Sequence, residues 1–299
     1  MQQCDVSTII DCSEFFKGGI LMSECDNCSH DNCSSCSSKP EPTEQELNIE
    51  NFLAQVKHKL IVMSGKGGVG KSTVAADIAL ILSNKGFKVG LLDVDLHGPS
   101  IAGILGLTGI PLNVVGNKML PYKYNDNLEV MTVQGLLADN DAALIWRGPV
   151  KIGVIRQFLA DTQWSPLDYL IVDCPPGTGD EPLTVVQTIK DAKAIVVTTS
   201  QEIALADVRK SLNFCELANI PIAGIVENMS GFVCPNCHTV HDIFKSGGGE
   251  KLAAENKLTF LGKIPIDPQI VESDDNGDPM GKLGVETTSA LEAIVKKLL

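Results

Sequence analysis

The sequence predicts an α/β fold: a mostly parallel, doubly wound sheet with helices on both faces, preceded by a short cysteine-rich tail. Three observations predict it. Short β-branched runs recur along the chain, segments of helical spacing separate them, and a glycine-rich phosphate loop stands directly after the first run. Runs that are apolar on both faces read as strands buried in a parallel sheet, and their alternation with helical segments reads as repeated βαβ units.

The runs are KLIVMS at 59–64, KVGLLDVD at 88–95, DYLIVDC at 168–174, AIVVTTS at 194–200 and PIAGIVEN at 221–228. Helical spacing falls over 72–85, 151–161 and 203–219. The C-terminal stretch 286–299 is amphipathic through Leu291, Ile294, Val295 and Leu298. With only Lys296 and Lys297 near the end of its polar side, it reads as a helix docked on the sheet rather than one lying on a membrane.

Composition narrows the function. A chain of 299 residues, 44% hydrophobic, can bury a full core. A net charge of -13 repels phosphate backbones and anionic headgroups, so neither nucleic acid nor a membrane is an expected partner. No apolar run approaches a bilayer span and no secretory signal opens the chain, which predicts a cytoplasmic protein. Ten cysteines in such a protein suggest thiolate ligands rather than disulfides.

Four regions follow. Residues 1–21 read as a translated leader or a disordered extension, because Lys17-Gly18-Gly19 can be encoded by a purine-rich ribosome-binding sequence just before Met22. Residues 22–36 form a tail bearing Cys25, Cys28, Cys33 and Cys36, enough sulfurs for one iron-sulfur cluster or one zinc ion. Residues 37–50, polar and with two prolines, read as a linker. Residues 51–299 form the phosphate-loop domain.

Gly65-Lys66-Gly67-Gly68-Val69-Gly70-Lys71-Ser72 satisfies G-x-x-x-x-G-K-[ST] between a strand and a helix, and Thr73 follows. The glycines let backbone N–H groups wrap phosphates, Lys71 neutralises their charge, and Ser72 can ligate magnesium. Asp93 and Asp95 stand at the C-terminal end of the second strand, where α/β sheets bind ligands. Asp173 ends a later strand, ahead of the glycines of DCPPGTGDE. No guanine signature is present, which favours ATP over GTP. Cys234 and Cys237 form a C-x-x-C on a loop after the 221–228 run. Two thiolates are half a four-sulfur site, which a two-fold axis could complete. Zinc held with His238 and His241, a redox pair or a plain turn are the alternatives. Cys174 and Cys215 lie in apolar elements and read as core residues.

Lys66, in KGGVGKST, resembles the second lysine of the deviant Walker A ATPases, which include partition ATPases, the nitrogenase iron protein and Mrp/ApbC-type carriers. The resemblance implies a nucleotide-sandwich homodimer in which Lys66 reaches the phosphates of the opposite subunit. It also implies that Asp95 orients the attacking water, Asp93 and Asp173 hold the magnesium shell, and Asn228 meets the adenine edge. KGGVGKST, DVDLHGPS, IWRGPVK, DCPPGTGDE, ALADVRKS, VENMSGFVCPNC and IFKSGGGEKLA together are similar to the Mrp/NBP35 (ApbC-type) family over roughly residues 55–299. Ser200, where the family usually has proline, and His238, where glycine is common, depart from it. That resemblance implies a 4Fe-4S cluster bridged by Cys234 and Cys237 of two subunits, slow ATP hydrolysis, and cluster transfer to apo iron-sulfur proteins. A partition-type ATPase and a zinc-bound nucleotide-dependent adaptor are the competing functions; the first leaves the clustered cysteines unexplained.

Overall fold

The computed structural model describes residues 42–96, 98–136, 148–234, 237, 239–281 and 283–299. In chain order the elements are α1 (Glu44–Gln55), β1 (His58–Ser64), α2 (Lys71–Asn84), β2 (Val89–Asp93), α3 (Ile101–Ile104), β3 (Asn113–Val115), β4 (Lys118–Leu120), β5 (Tyr122–Asn125) and β6 (Leu128–Thr132). They continue with α4 (Gly148–Asp161), β7 (Tyr169–Asp173), α5 (Asp180–Thr188), β8 (Lys193–Thr198), α6 (Glu202–Leu217), β9 (Ile222–Glu227), β10 (Phe232–Val233), β11 (Val240–His241), α7 (Gly248–Glu255), β12 (Phe260–Lys263), α8 (Pro268–Asp275) and α9 (Val285–Lys296).

Eight strands form one sheet in the order β12-β9-β8-β1-β7-β2-β6-β5. Every pairing in it is parallel except that of β5 with β6. The alternation of strand side chains divides the core in two. Ile61 and Met63 of β1 join Leu170 and Val172 of β7 beneath α1, α4, α5, α6 and α7. Leu60 and Val62 join Ile171 beneath α2, α3 and α9. Burying side chains of this size stabilises by about 1.5–3 kcal/mol each, so both helical layers are needed to cover a sheet that is apolar on both sides.

The C-terminal helix docks as its spacing predicts. Leu291, Ile294 and Val295 of α9 are buried against α2 and β12. Among the described residues, no helix is long and apolar enough to cross a membrane.

One boundary is corrected. Residues 37–50 read as linker and the domain as starting at 51, yet α1 starts at Glu44. Thr43 and Glu46 form a capping box: Thr43 Oγ1 accepts from the Glu46 N–H at 3.3 Å, and the Glu46 carboxylate accepts from the Thr43 N–H at 2.9 Å. One turn apart, Ile49 and Leu53 then bury their side chains against the core. With just two buried positions in twelve residues, the helix lacks the apolar density that makes a period visible. The leader and the tail cysteines Cys25, Cys28, Cys33 and Cys36 lie outside the described residues.

Candidate nucleotide site and cysteine hairpin

β1 lies between β8 and β7, so its C-terminal end opens at the switch point of the sheet, where the crossovers on its two sides diverge. The loop that leaves it there, Gly65 to Gly70, is built around two crowded glycines. A Cβ on Gly65 would stand 2.3 Å from the backbone carbon of Asp207, so the loop lies flat on α6. Gly70 has φ +78° and a Cβ there would sit 2.2 Å from Asn228 Nδ2. Only glycine satisfies both the left-handed backbone and that contact. The Asn228 amide donates to the Val69 carbonyl at 3.0 Å, tying the end of β9 to the loop.

Lys71 opens α2 and is buried. Its ammonium lies 2.6 Å from Asp173 Oδ1, 3.1 Å from Ser72 Oγ and 3.8 Å from Asp95 Oδ2. Burial alone would lower the lysine's pKa, but attraction to Asp173, Asp95 and Asp93 outweighs it and holds the pKa above its ordinary value. Asp93 is fully buried. Its Oδ1 accepts from the Asp95 N–H at 3.0 Å and its Oδ2 from Thr132 Oγ1 at 3.1 Å. Burial, followed by repulsion from Asp173, pushes its pKa up to about 8. Asp173 is likewise raised by burial, against the pull of Lys71. Its Oδ2 is buried without a hydrogen-bond partner among the described residues, an acceptor open to a cation's water shell.

The structure therefore gathers Gly65, Gly67, Gly68, Val69, Gly70, Lys71, Ser72, Thr73, Asp93, Asp95, Asp173 and Asn228 at one end of the sheet. Lys66 is exposed on the rim of the loop, with its carbonyl accepting from Ser64 Oγ at 2.9 Å. Thr132 escaped the sequence reading, because a lone threonine at the end of β6 carries no pattern; its link to Asp93 exists only through strand pairing.

The second candidate region is a hairpin. β10 and β11 pair antiparallel, and the Cys234 N–H donates to the Thr239 carbonyl at 3.0 Å. Cys234 is half-buried and Cys237 exposed, and neither is in a disulfide. Cys237 Sγ lies 3.3 Å from Thr239 Oγ1. Contacts with Thr239, then with Cys234, hold the Cys237 thiol below its ordinary pKa, the direction that favours a ligating thiolate. Among the described residues, no three His, Cys, Asp or Glu side chains are grouped as a metal site; His238 lies outside them. Cys174 and Cys215 are buried in the core as expected, their thiols pushed up by burial.

Comparison with known proteins follows the same division. A family model described as the NUBPL iron-transfer P-loop NTPase, of the ParA group, matches residues 55–299. An iron-sulfur cluster carrier protein of Methanocaldococcus jannaschii is 45% identical, covering 93% of this chain and 97% of that protein. A cytosolic Fe-S cluster assembly factor, a Nubp2 homolog of Aedes aegypti, is 53% identical over 73% of this chain and 86% of its own length. Among solved structures, a nucleotide-binding protein in complex with ADP from Archaeoglobus fulgidus superposes with a TM-score of 0.70 at 39% identity, over 78% of this chain and 92% of that one. The cell-division ATPase MinD of Pyrococcus furiosus, at 21% identity and a TM-score of 0.58 over 81% of this chain and 98% of its own, shares the fold.

Proposed function

We propose a function from one premise: the chain belongs to the NUBPL iron-transfer P-loop NTPase family, a family of iron-sulfur cluster carriers and assembly factors. The proposed activity is that of a cytosolic ATP-dependent carrier. Two copies of the chain hold a 4Fe-4S cluster as cargo between Cys234 and Cys237 of each, hydrolyse ATP slowly, and pass the cluster to apo iron-sulfur proteins. The observation that supports it most directly is the cysteine hairpin itself. Two sulfurs outside any disulfide, one of them exposed, stand on the hairpin that follows β9, the strand whose next residue, Asn228, is bonded to the phosphate loop.

The residues present suit nucleotide and magnesium. The N–H groups of Gly65 to Ser72 and the Lys71 ammonium would hold phosphates, Lys66 would reach those of the partner copy, and Thr73 and Asn228 would flank the nucleoside side. Ser72, with Asp173 and its unpartnered Oδ2, suits a magnesium shell, with Asp93 as its further member. When bound, that ion neutralises charge developing on the transferred phosphoryl group. Asp95, at the mouth of the site and within 3.8 Å of Lys71, is placed to orient the attacking water. Lys71 is shared between phosphate and Asp173, so occupancy of the loop pulls on the strand that leads into Gly177 and Gly179. Cluster loading and release would follow from that movement.

Anaerobic analysis of iron, acid-labile sulfide and zinc, with electron paramagnetic resonance, tests the reading on the native protein and on the Cys234→Ala/Cys237→Ala double variant. Sharing between two chains predicts that the variant loses about half a cluster per subunit. Zinc without sulfide, or a metal content untouched by the double substitution, overturns the bridging site. A nucleotide-dependent adaptor would then be the better description.

A further inference from the structure

Glu227 is a fully buried carboxylate at the end of an apolar strand, and nothing in the nucleotide chemistry uses it. Its Oε1 accepts from the Gly247 N–H at 2.8 Å and its Oε2 from the Gly249 N–H at 2.5 Å, both at the N-terminal end of α7. It also accepts a short hydrogen bond from Ser230 Oγ. Burial alone would push the carboxyl up; the donors from Ser230, Gly247 and Gly249 reverse this and hold it below its ordinary range, so it is ionised. Glycines leave the room this contact uses: a Cβ on Gly249 would stand 3.1 Å from Glu227 Oε2, and one on Gly248 would stand 2.8 Å from Leu205 Cδ1 and 3.0 Å from the Ser200 carbonyl oxygen.

The neighbouring residue is what gives this carboxylate a role. Consecutive strand residues face opposite sides of a sheet. Glu227 faces α7, while Asn228 faces α2 and donates to Val69 of the phosphate loop. The chain then turns sharply, with Met229 at φ +54° and Gly231 at φ +79°, and runs straight into β10 and Cys234. This connector has little slack: Ser230 N–H donates to the Ile264 carbonyl and Ile266 N–H to the Gly231 carbonyl, while Ile264 N–H donates to that of Glu227. Between strand end and hairpin base, Ser230 is held by the Glu227 carboxylate and by Ser246, whose Oγ lies 2.9 Å from its own.

We propose that Glu227 is a positioning residue that couples the phosphate loop to the cysteine hairpin: a change at Asn228 on nucleotide binding is carried across the strand end to Ser230, and so to Cys234 and Cys237. The inference rests on the hairpin being the cargo site, as proposed above. It names the element through which the nucleotide acts on that site.

The test measures the thiols directly, in metal-free full-length protein, so that it does not depend on a cluster being bound. Iodoacetamide alkylation of Cys234 and Cys237 is followed by peptide mass spectrometry with and without saturating Mg-ADP. The native protein is expected to change its alkylation rate several-fold with nucleotide. Glu227→Gln, which places an amide against backbone donors, and Ser230→Ala, which removes a single hydroxyl, are expected to bind ADP normally and lose that response. Glu227→Asp, which keeps the charge, should restore part of it. Variants that respond like the native protein overturn the proposal, as does a native protein whose thiols ignore nucleotide. Loss of the response together with ADP affinity in both variants would reduce Glu227 to a fold-stabilising residue and overturn it as well. Failure of the cargo reading is registered separately, by iron and sulfide analysis of the native protein.

Discussion

The phosphate loop leaves β1 and the cysteine hairpin follows β9, and Asn228 at the end of β9 links them, yet they are built in opposite ways. The loop is over-determined: Gly65 lies on α6 backbone, Gly70 against Asn228, and Lys71 is sealed among three carboxylates. The hairpin has two strands of two residues each, with Val240 and Ile243 exposed beside its cysteines. A paired ladder that short has almost no stability of its own. The contrast suits the two proposed tasks: phosphate binding needs donors fixed before the ligand arrives, whereas sulfurs that release a cargo, as proposed for the hairpin, need to be reachable from solvent.

Substitutions at the loop should therefore cost both fold and activity. The largest effect is expected from Lys71→Ala, which abolishes hydrolysis and leaves Asp173 buried without its partner. Breaking a buried pair from one side costs roughly 3–5 kcal/mol, read as a drop in denaturant midpoint. Lys71→Met/Asp173→Asn removes both charges and should recover most of the stability while remaining inactive. If the double variant is no more stable than Lys71→Ala, the pair is not the source of the loss. Gly70→Ala ranks next. Its left-handed φ and the contact with Asn228 Nδ2 together should cost about 2 kcal/mol and weaken ADP binding. Gly68→Ala shares φ +78° but would meet nothing within 4 Å, so it should cost about half as much.

How much of this was legible in the sequence follows the same line. The five strand runs, the helical segments 72–85, 151–161 and 203–219 and the residues of the loop were readable because each carries a dense local pattern: a continuous apolar run, a 3.6 period, or glycines at fixed offsets; the short helix Asp180–Thr188 between two of the runs was not. β3 to β6 were not, because they are three to five residues long and half of them lie outside the core. The start of α1 was missed although Thr43 and Glu46 stand at capping-box spacing, because two prolines and a polar run outweighed that signal. Glu227 offered a signal that went unused: a charged residue closing the apolar run IVEN is costly to bury and implies dedicated donors. Gly247, Gly249 and Ser230 supply them, from positions no spacing rule links to it.

A subtler test of the loop region uses Asp274. Thr73 Oγ1 donates to its Oδ2 at 3.2 Å, while its Oδ1 is buried without a hydrogen-bond partner among the described residues. Burial, offset by Thr73 and reinforced by Asp275, raises its pKa to about 6, and Asp77 on α2 faces it from within the core. A carboxyl raised in the folded state contributes stability below the unfolded value near 3.8 and loses it as pH climbs through about 6. Asp274→Asn should thus stabilise by about 1 kcal/mol at pH 7.5, a full two-unit shift being discounted because the group is half exposed. At pH 3.5 it should change nothing. Equal effects at the two pH values would assign the gain to packing rather than to charge.

The smallest effect on folding is expected at the hairpin. Cys234→Ser/Cys237→Ser removes two sulfurs that contribute little packing, so unfolding should shift by no more than about 0.5 kcal/mol. ATP hydrolysis by the metal-free protein should stay within twofold of native, because neither thiol reaches Lys71, Asp95 or Asp173. Bound iron should nevertheless fall. The outcome that breaks the contrast is a double variant that unfolds as readily as Gly70→Ala. The two-residue strands would then be held by their sulfurs, and Cys234 and Cys237 would belong to the fold rather than to the cargo.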